Sequence, residues 1–196
     1  MNPGHRVGVL ALQGAFEAHE RALHDLGTEV REVRTPADLA GVSGLVLPGG
    51  ESSVHLRLLA ESGLEEAIRG FEGPILGTCA GLILLARRVG NPAQRSLGLL
   101  DVDVERNAYG RQRESFEDEA GRVFIRAPRI TRVGPGVSVL DKNAKGEALA
   151  VQQGRVIAST YHPELGRDRS LHSLLVGLSR PKAELSVVSG QLSVAK

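Results

Sequence analysis

Cys79 is the only cysteine in this 196-residue chain, and it sits in Gly77-Thr78-Cys79-Ala80-Gly81, between an apolar strand-like run and a helix-like run. Glycines two before and two after a nucleophile match the Gly-x-Ser-x-Gly elbow, in which small residues let a strand reverse sharply into a helix and leave the central side chain exposed. Here the nucleophile is sulfur. A free thiol, with a pKa of about 8.5, is only about 3% thiolate at pH 7, so such a site needs a helix N-terminus or a neighbouring imidazolium to raise that fraction. Taken alone, a single cysteine in apolar company is most often a small buried core residue.

A second motif changes that balance. The β-rich run at 156–161 ends in His162-Pro163-Glu164, which places an imidazole and a carboxylate two positions apart at the end of a strand. In an extended chain, residues i and i+2 point to the same side. Glu164 can therefore hold the His162 ring and stabilise its imidazolium while the other ring nitrogen faces Cys79, the arrangement of a nucleophile, a base and an orienting acid. A His-Pro-Glu tripeptide alone is more often a loop turn. After a strand and downstream of a cysteine elbow it points to acyl transfer.

With these residues in place, the sequence resembles the triad (class I-type) glutamine amidotransferases, and among them the glutaminase subunits of pyridoxal 5'-phosphate synthase. The resemblance is carried by Leu10-Ala11-Leu12-Gln13-Gly14-Ala15, Leu47-Pro48-Gly49-Gly50-Glu51-Ser52-Ser53, the Cys79 elbow, Val104-Glu105-Arg106-Asn107, Phe124-Ile125-Arg126-Ala127-Pro128 and Tyr161-His162-Pro163-Glu164-Leu165. These blocks run in family order from residue 7 to about 176, nearly the whole chain. The resemblance implies hydrolysis of L-glutamine by Cys79, His162 and Glu164. It also implies delivery of ammonia to a separate synthase subunit, which makes pyridoxal 5'-phosphate from a pentose phosphate and a triose phosphate. The vitamin B6 product is then formed on the partner, and this chain uses no cofactor; no motif places a lysine to hold one.

The Gly49-Gly50-Glu51-Ser52-Ser53 block has a plain reading as a strand-to-helix turn with a serine cap, and it lacks the Gly-Lys-Ser/Thr ending of a phosphate loop. A backbone free of side chains can also bring N–H groups close to an oxyanion. The resemblance implies that Gly50 and Ala80 supply the two oxyanion donors and that Gly50, Glu51, Ser52, Arg106, Ile125 and Arg126 contribute to the glutamine site. Arg106 and Arg126 each follow a strand-like run, and without the motif context they read as surface arginines. A planar guanidinium grips a carboxylate in bidentate fashion, which suits the α-carboxylate of glutamine. Gln13 and Gly14, at the end of the first strand, are expected to gate the site.

The elements that must position these residues follow from the hydrophobic pattern. Short β-branched or leucine-rich runs alternate with amphipathic stretches, which predicts a mostly parallel α/β sheet with helices on both faces. The resemblance implies the flavodoxin-like, class I amidotransferase version of this architecture. Strands are expected over residues 6–12, 30–33, 45–47 and 74–76, and helices over 16–26, 53–69 and 169–178. Between 97 and 157 several short strands separated by Gly, Pro, Asn and Asp turns predict antiparallel additions at one sheet edge. Residues 1–180 read as a single domain, and 181–196 as a loosely ordered C-terminal tail.

With 41% hydrophobic residues, the chain can bury one core without disulfides or metal. His5, His19, His24, His55 and His172 show no helical metal-ligand spacing with a third ligand, so no metal is expected. His55 stands where many relatives are expected to carry Met, a departure assigned to the partner-facing surface. A net charge of +1, no Trp and 3% aromatics give no case for nucleic-acid binding. The lack of a secretory leader or an apolar stretch of 18 residues argues for a cytoplasmic protein without membrane contact. A glutaminase serving a different synthase, a γ-glutamyl hydrolase or Cys-His-Glu peptidase, and a non-catalytic assembly subunit share parts of this pattern. The first should lack the Gln13-Gly14 and Arg106-Asn107 blocks, the second needs a groove for a longer substrate, and the third needs no intact triad.

Overall fold

The computed structural model describes residues 5–106, 108 and 115–180. Its centre is a seven-stranded sheet built from β1 (Arg6–Leu10), β2 (Glu29–Val33), β3 (Gly44–Leu47), β4 (Ile75–Thr78), β10 (Ser138–Lys142), β11 (Ala148–Gln153) and β12 (Val156–Ser159). Across the sheet they run in the order β10-β11-β12-β4-β3-β1-β2. From β2 to β12 every pairing is parallel, and β11 and β10 continue the edge antiparallel. The α/β class and the antiparallel edge are therefore as the sequence predicts.

Both faces of the parallel strands are apolar, and alternate residues feed separate cores. Leu45, Leu47 and Ile75 join the core that also holds Leu56 and Leu59 of α2 (Ser52–Ser62) and Leu64 and Ile68 of α3 (Leu64–Arg69), together with α4 (Ala80–Leu85). Val46 and Leu76 join the opposite core with Leu23 of α1 (Phe16–His24) and Leu171 and Leu175 of α5 (Ser170–Ser179). Period-two alternation with no polar face is what a sheet covered by helices on both sides requires.

Two expectations need correction. The predicted helix over 53–69 is two helices, because Gly63 takes φ 74°, a left-handed conformation that ends α2 and turns the chain into α3. An L-residue pays a steric penalty there that glycine escapes. The strands between 97 and 157 do not all extend the main sheet. β6 (Leu100–Glu105) and β9 (Arg129–Val133) pair with β5 (Ala86–Gly90) in a separate three-stranded sheet. Two short strands, β7 (Phe116–Glu117) and β8 (Val123–Phe124), form a hairpin. The predicted tail over 181–196 and Asn107 lie outside the described residues. Among the described residues no helix is long and apolar enough to cross a membrane.

Candidate active site

The site lies at the carboxyl ends of β3, β4 and β12. Cys79 follows β4 directly, caps α4 and adopts φ 49°, ψ −101°. That is a sparsely populated conformation for a residue with a Cβ, and the surroundings over-determine it. The Cys79 N–H donates to the Ser159 carbonyl at 2.9 Å, extending the β4–β12 ladder one step past the strand. The flanking glycines are required by close approach. A Cβ at Gly77 would meet the Gly81 backbone at 2.7 Å, and one at Gly81 would collide with the Leu47 carbonyl of β3. The elbow is thus tight because strand, helix and neighbouring strand touch backbone to backbone, while the unusual torsion falls on the cysteine itself.

His162 leaves the end of β12 beside the elbow. Its backbone N–H donates to the Val123 carbonyl at 2.8 Å, and two residues on, the Ile125 carbonyl lies 3.7 Å from the Cys79 sulfur. One segment, 123–125, therefore ties His162 to Cys79. Nδ1 of His162 is 2.6 Å from Glu164 Oε1, and the Glu164 side chain is fully buried. The His162 ring lies in the same cleft as Cys79. Burial alone would lower the His162 pKa, but the sulfur and the Glu164 carboxylate outweigh it and push it up to about 10. Burial likewise works against the Glu164 charge. The His19 imidazole and the His162 hydrogen bond overcome it and hold the carboxyl below its usual range.

The cleft above Cys79 brings together most of the residues singled out from sequence. Gly50, Glu51, Ser52, Arg106, Ile125, Arg126 and His162 line it, joined by Ala15, Gly49 and Ile83, which sequence reasoning did not pick out. Glu51 is the hub of its polar wall. It accepts from Arg106 Nη2 at 2.9 Å, lies 3.8 Å from Arg126 Nη1, and caps α2 through Ser53. The Ser52 hydroxyl donates to Gln94 Oε1 at 3.0 Å. Ala80 opens α4, and the first N–H groups of a helix have no intrahelical acceptor.

The Gly49–Gly50 peptide is held from the first strand's loop. Ala15 N–H donates to the Gly49 carbonyl at 3.2 Å, and in a trans peptide that fixes the Gly50 N–H in the opposite direction. Gln13 contacts the same turn, and Gly14, at φ 86°, lies so close that a Cβ would strike the Gly49 carbonyl. His55 is not on a partner-facing surface: it is 0% exposed inside α2, and burial drives its pKa down to about 4.

Sequence reasoning set His19 and His172 aside, yet both are buried against Glu164 or its neighbour. His19 Nε2 lies 3.3 Å from Glu164 Oε2 and 3.1 Å from Thr78 Oγ1, and His19 Nδ1 lies 2.9 Å from His172 Nε2. The signal available was a histidine at the apolar spacing of α1, beside the buried Ala18, Ala22 and Leu23. Among the described residues no group of three His, Cys, Asp or Glu side chains is arranged to hold a metal ion.

A doubly covered parallel sheet carrying a cysteine elbow, with a His-Glu pair in the turn after the adjacent strand, fits the glutamine amidotransferase class. The profile of the SNO glutamine amidotransferase family matches residues 9–178, and the chain belongs to that family. A pyridoxal 5'-phosphate synthase subunit PdxT of Deinococcus radiodurans is 54% identical over 90% of this chain and 98% of its own. Its Thermus thermophilus counterpart is 50% identical over 88% and 97%. A solved glutamine amidotransferase structure shares 45% identity with a TM-score of 0.80, covering 88% of this chain and 98% of that one. A glutamine amidotransferase from Thermotoga maritima has the same fold at 17% identity, with a TM-score of 0.55 over 97% of this chain and 87% of that one.

Proposed function

We propose that this chain is the glutaminase subunit of a pyridoxal 5'-phosphate synthase, hydrolysing L-glutamine to L-glutamate and ammonia and passing the ammonia to a synthase subunit in a hetero-oligomeric complex. The observation that carries this reading is the convergence of Cys79 and the Glu164-bound His162 on one cleft walled by Glu51, Arg106 and Arg126. Relatives named as PdxT, alike over nearly their full length, support the choice of synthase. Residues 1–180 act as one catalytic domain, and the chain works in the cytoplasm, a compartment that keeps thiols reduced.

The reaction divides into two acyl transfers. The Cys79 thiolate attacks the side-chain amide carbon of glutamine, and the N–H groups of Gly50 and Ala80 receive the developing oxyanion. The protonated imidazole of His162 gives its Nε2 proton to the leaving nitrogen, releasing ammonia and a γ-glutamyl thioester. The neutral ring then takes a proton from water, which attacks the thioester and frees glutamate and the thiolate. Glu164 keeps Nδ1–H occupied, so Nε2 is the nitrogen that exchanges protons. Arg106 and Arg126 meet the α-carboxylate of the substrate and Glu51 its α-ammonium, with Ile125 shaping the wall and Ser52 contributing through its backbone.

A glutamine-analogue electrophile followed by peptide mapping tests the proposal. Labelling confined to Cys79 and blocked by glutamine is the expected result. Absence of labelling with the synthase partner present overturns the enzymatic reading, and failure to co-purify with such a partner overturns the choice of synthase.

A further inference from the structure

Behind the Cys79-His162-Glu164 line, the polar chain continues inward through two histidines from opposite ends of the sequence. Glu164 Oε2 has no aligned hydrogen bond among the described residues, and its side chain is fully buried. A carboxylate oxygen in that state is strongly destabilised unless a donor is near. His19 Nε2, 3.3 Å away and itself 0% exposed, is placed to be that donor, shared with Thr78 Oγ1 at 3.1 Å. A lone pair on Nε2 would face the carboxylate and repel it, so the proton belongs on Nε2. That leaves Nδ1 as an acceptor, and His172 Nε2 stands 2.9 Å from it as the matching donor.

We infer that His19 is a positioning residue for the triad, its neutral Nε2–H tautomer fixed by His172 and its dipole holding the Glu164 carboxylate ionised and turned toward His162. The inference rests on the catalytic reading of Cys79, His162 and Glu164 given above. Three elements supply the groups that face this pair. Thr78 comes from β4, and His162 and Glu164 from the turn after β12. Asp168 and Arg169 border His172 just before α5. Burial keeps both rings neutral: the His19 pKa is lowered, with the Glu164 charge opposing and His162 reinforcing, and that of His172 falls to about 3. A neutral donor suits the role. A second imidazolium beside His162 would compete for the same carboxylate.

The test uses the chain with its synthase partner at saturation, comparing His19→Leu, which removes the donor, with His19→Gln, whose amide nitrogen can occupy the Nε2 position. His19→Leu is expected to lower kcat about 10- to 100-fold with KM changed less than about twofold, and His19→Gln to recover kcat to within about threefold of wild type. The acid limb of the kcat profile should move to higher pH in His19→Leu, as Glu164 loses its donor, and return in His19→Gln. A folded His19→Leu protein with wild-type kcat and acid limb overturns the inference. If that variant does not fold, nitrogen NMR of the wild-type rings decides without any turnover: a neutral Nε2–H His19 at neutral pH upholds it, and an Nδ1–H or charged ring overturns it. Full glutaminase activity in Cys79→Ala would instead sink the catalytic reading itself, whatever the tautomer of His19.

Discussion

Gln13 clasps Glu51 from both sides: its amide nitrogen donates to the Glu51 carbonyl at 3.0 Å, and its amide oxygen accepts from the Glu51 N–H at 3.4 Å. The first strand's loop thereby holds the turn that carries both the Gly50 N–H and the Glu51 carboxylate. Any partner that moves this loop moves the Gly50 N–H, the proposed oxyanion donor, with it.

The isolated chain is accordingly expected to be a poor glutaminase that its synthase switches on. Ammonia released without a receiver is protonated and lost as a nucleophile, so a gate prevents waste. Docking that fixes the Gln13-Gly14 loop should raise turnover more than it tightens glutamine binding. Gln13→Leu should lower partner-activated kcat about 100-fold, the scale of a lost oxyanion donor. Glutamate production with and without saturating synthase is the measurement; equal turnover in the two conditions removes the gate.

Cys79→Ala should abolish glutamine-dependent synthesis of pyridoxal 5'-phosphate, by more than about 1000-fold, while leaving ammonium-dependent synthesis intact. Sulfur is needed only to release ammonia. A reconstituted complex assayed with each nitrogen source gives the answer, and residual glutamine turnover above a trace would take the nucleophile's role from Cys79.

His162→Asn should eliminate acyl transfer, whereas Glu164→Gln should retain activity about 10- to 100-fold above it, because an orienting carboxylate costs less to lose than the base it orients. Thermal melts establish that both variants fold. The opposite ranking would mean that the carboxylate does more than orient.

The elbow and the His-x-Glu pair were legible because their spacing is local: a reversal needs small residues at fixed offsets, and two side chains two positions apart can meet, although they do so across a turn closed by the Leu165 N–H on the His162 carbonyl at 3.2 Å and not, as expected, along an extended chain. The break at Gly63 was not, since a lone glycine inside a helical pattern marks a boundary only when packing on both sides favours the left-handed turn. Assigning β6 and β9 to the main sheet, and missing β5 altogether, has a similar cause, as strand pairing is decided by distant partners. His19 and His172 are 153 residues apart, and they meet only because α1 and α5 cover the same face of the sheet. No spacing rule within either helix reports such a contact.

pH should separate the native wild type from Cys79→Ala. The folded-state pKa of His162, pushed up to about 10, lies above the ordinary imidazole value of 6.5. Its protonation therefore stabilises the fold fully below pH 6.5, and the contribution fades as pH rises through about 10. Without the sulfur, the first group that opposes burial is gone and the His162 pKa falls. NMR titration of His162 in both proteins checks this, with an unchanged titration in Cys79→Ala excluding a sulfur–imidazolium pair. Glu164 has the opposite sign, lending stability above the usual carboxylate range and losing it as acid neutralises the folded-state group.

Gly49→Ala offers a steric test of the same ring. A Cβ there would come within 2.9 Å of His162 Nδ1 and closer still to Cε1, so the imidazole must move. A displacement of about 1 Å at a reacting group costs about 100-fold in rate. The expected result is a kcat loss of that order with a small change in melting temperature, and wild-type kcat would show that the ring has room to yield.

The β4–β12 pairing also sets when in its life the protein can act. Thr78 is matched to Ser159, so the cysteine elbow and the segment leading to His162 are joined by a ladder whose two strands are made far apart in time during synthesis. A nascent chain that has emerged only as far as β11 carries its cysteine elbow but not His162, and β11 has no neighbouring strand through which to reach β4. Closing so long a loop is among the slower steps of folding. On the proposed mechanism, glutamine is therefore safe from an unfinished subunit: the capacity to consume it arrives with the last strand of the main sheet to leave the ribosome, well after Cys79 has emerged.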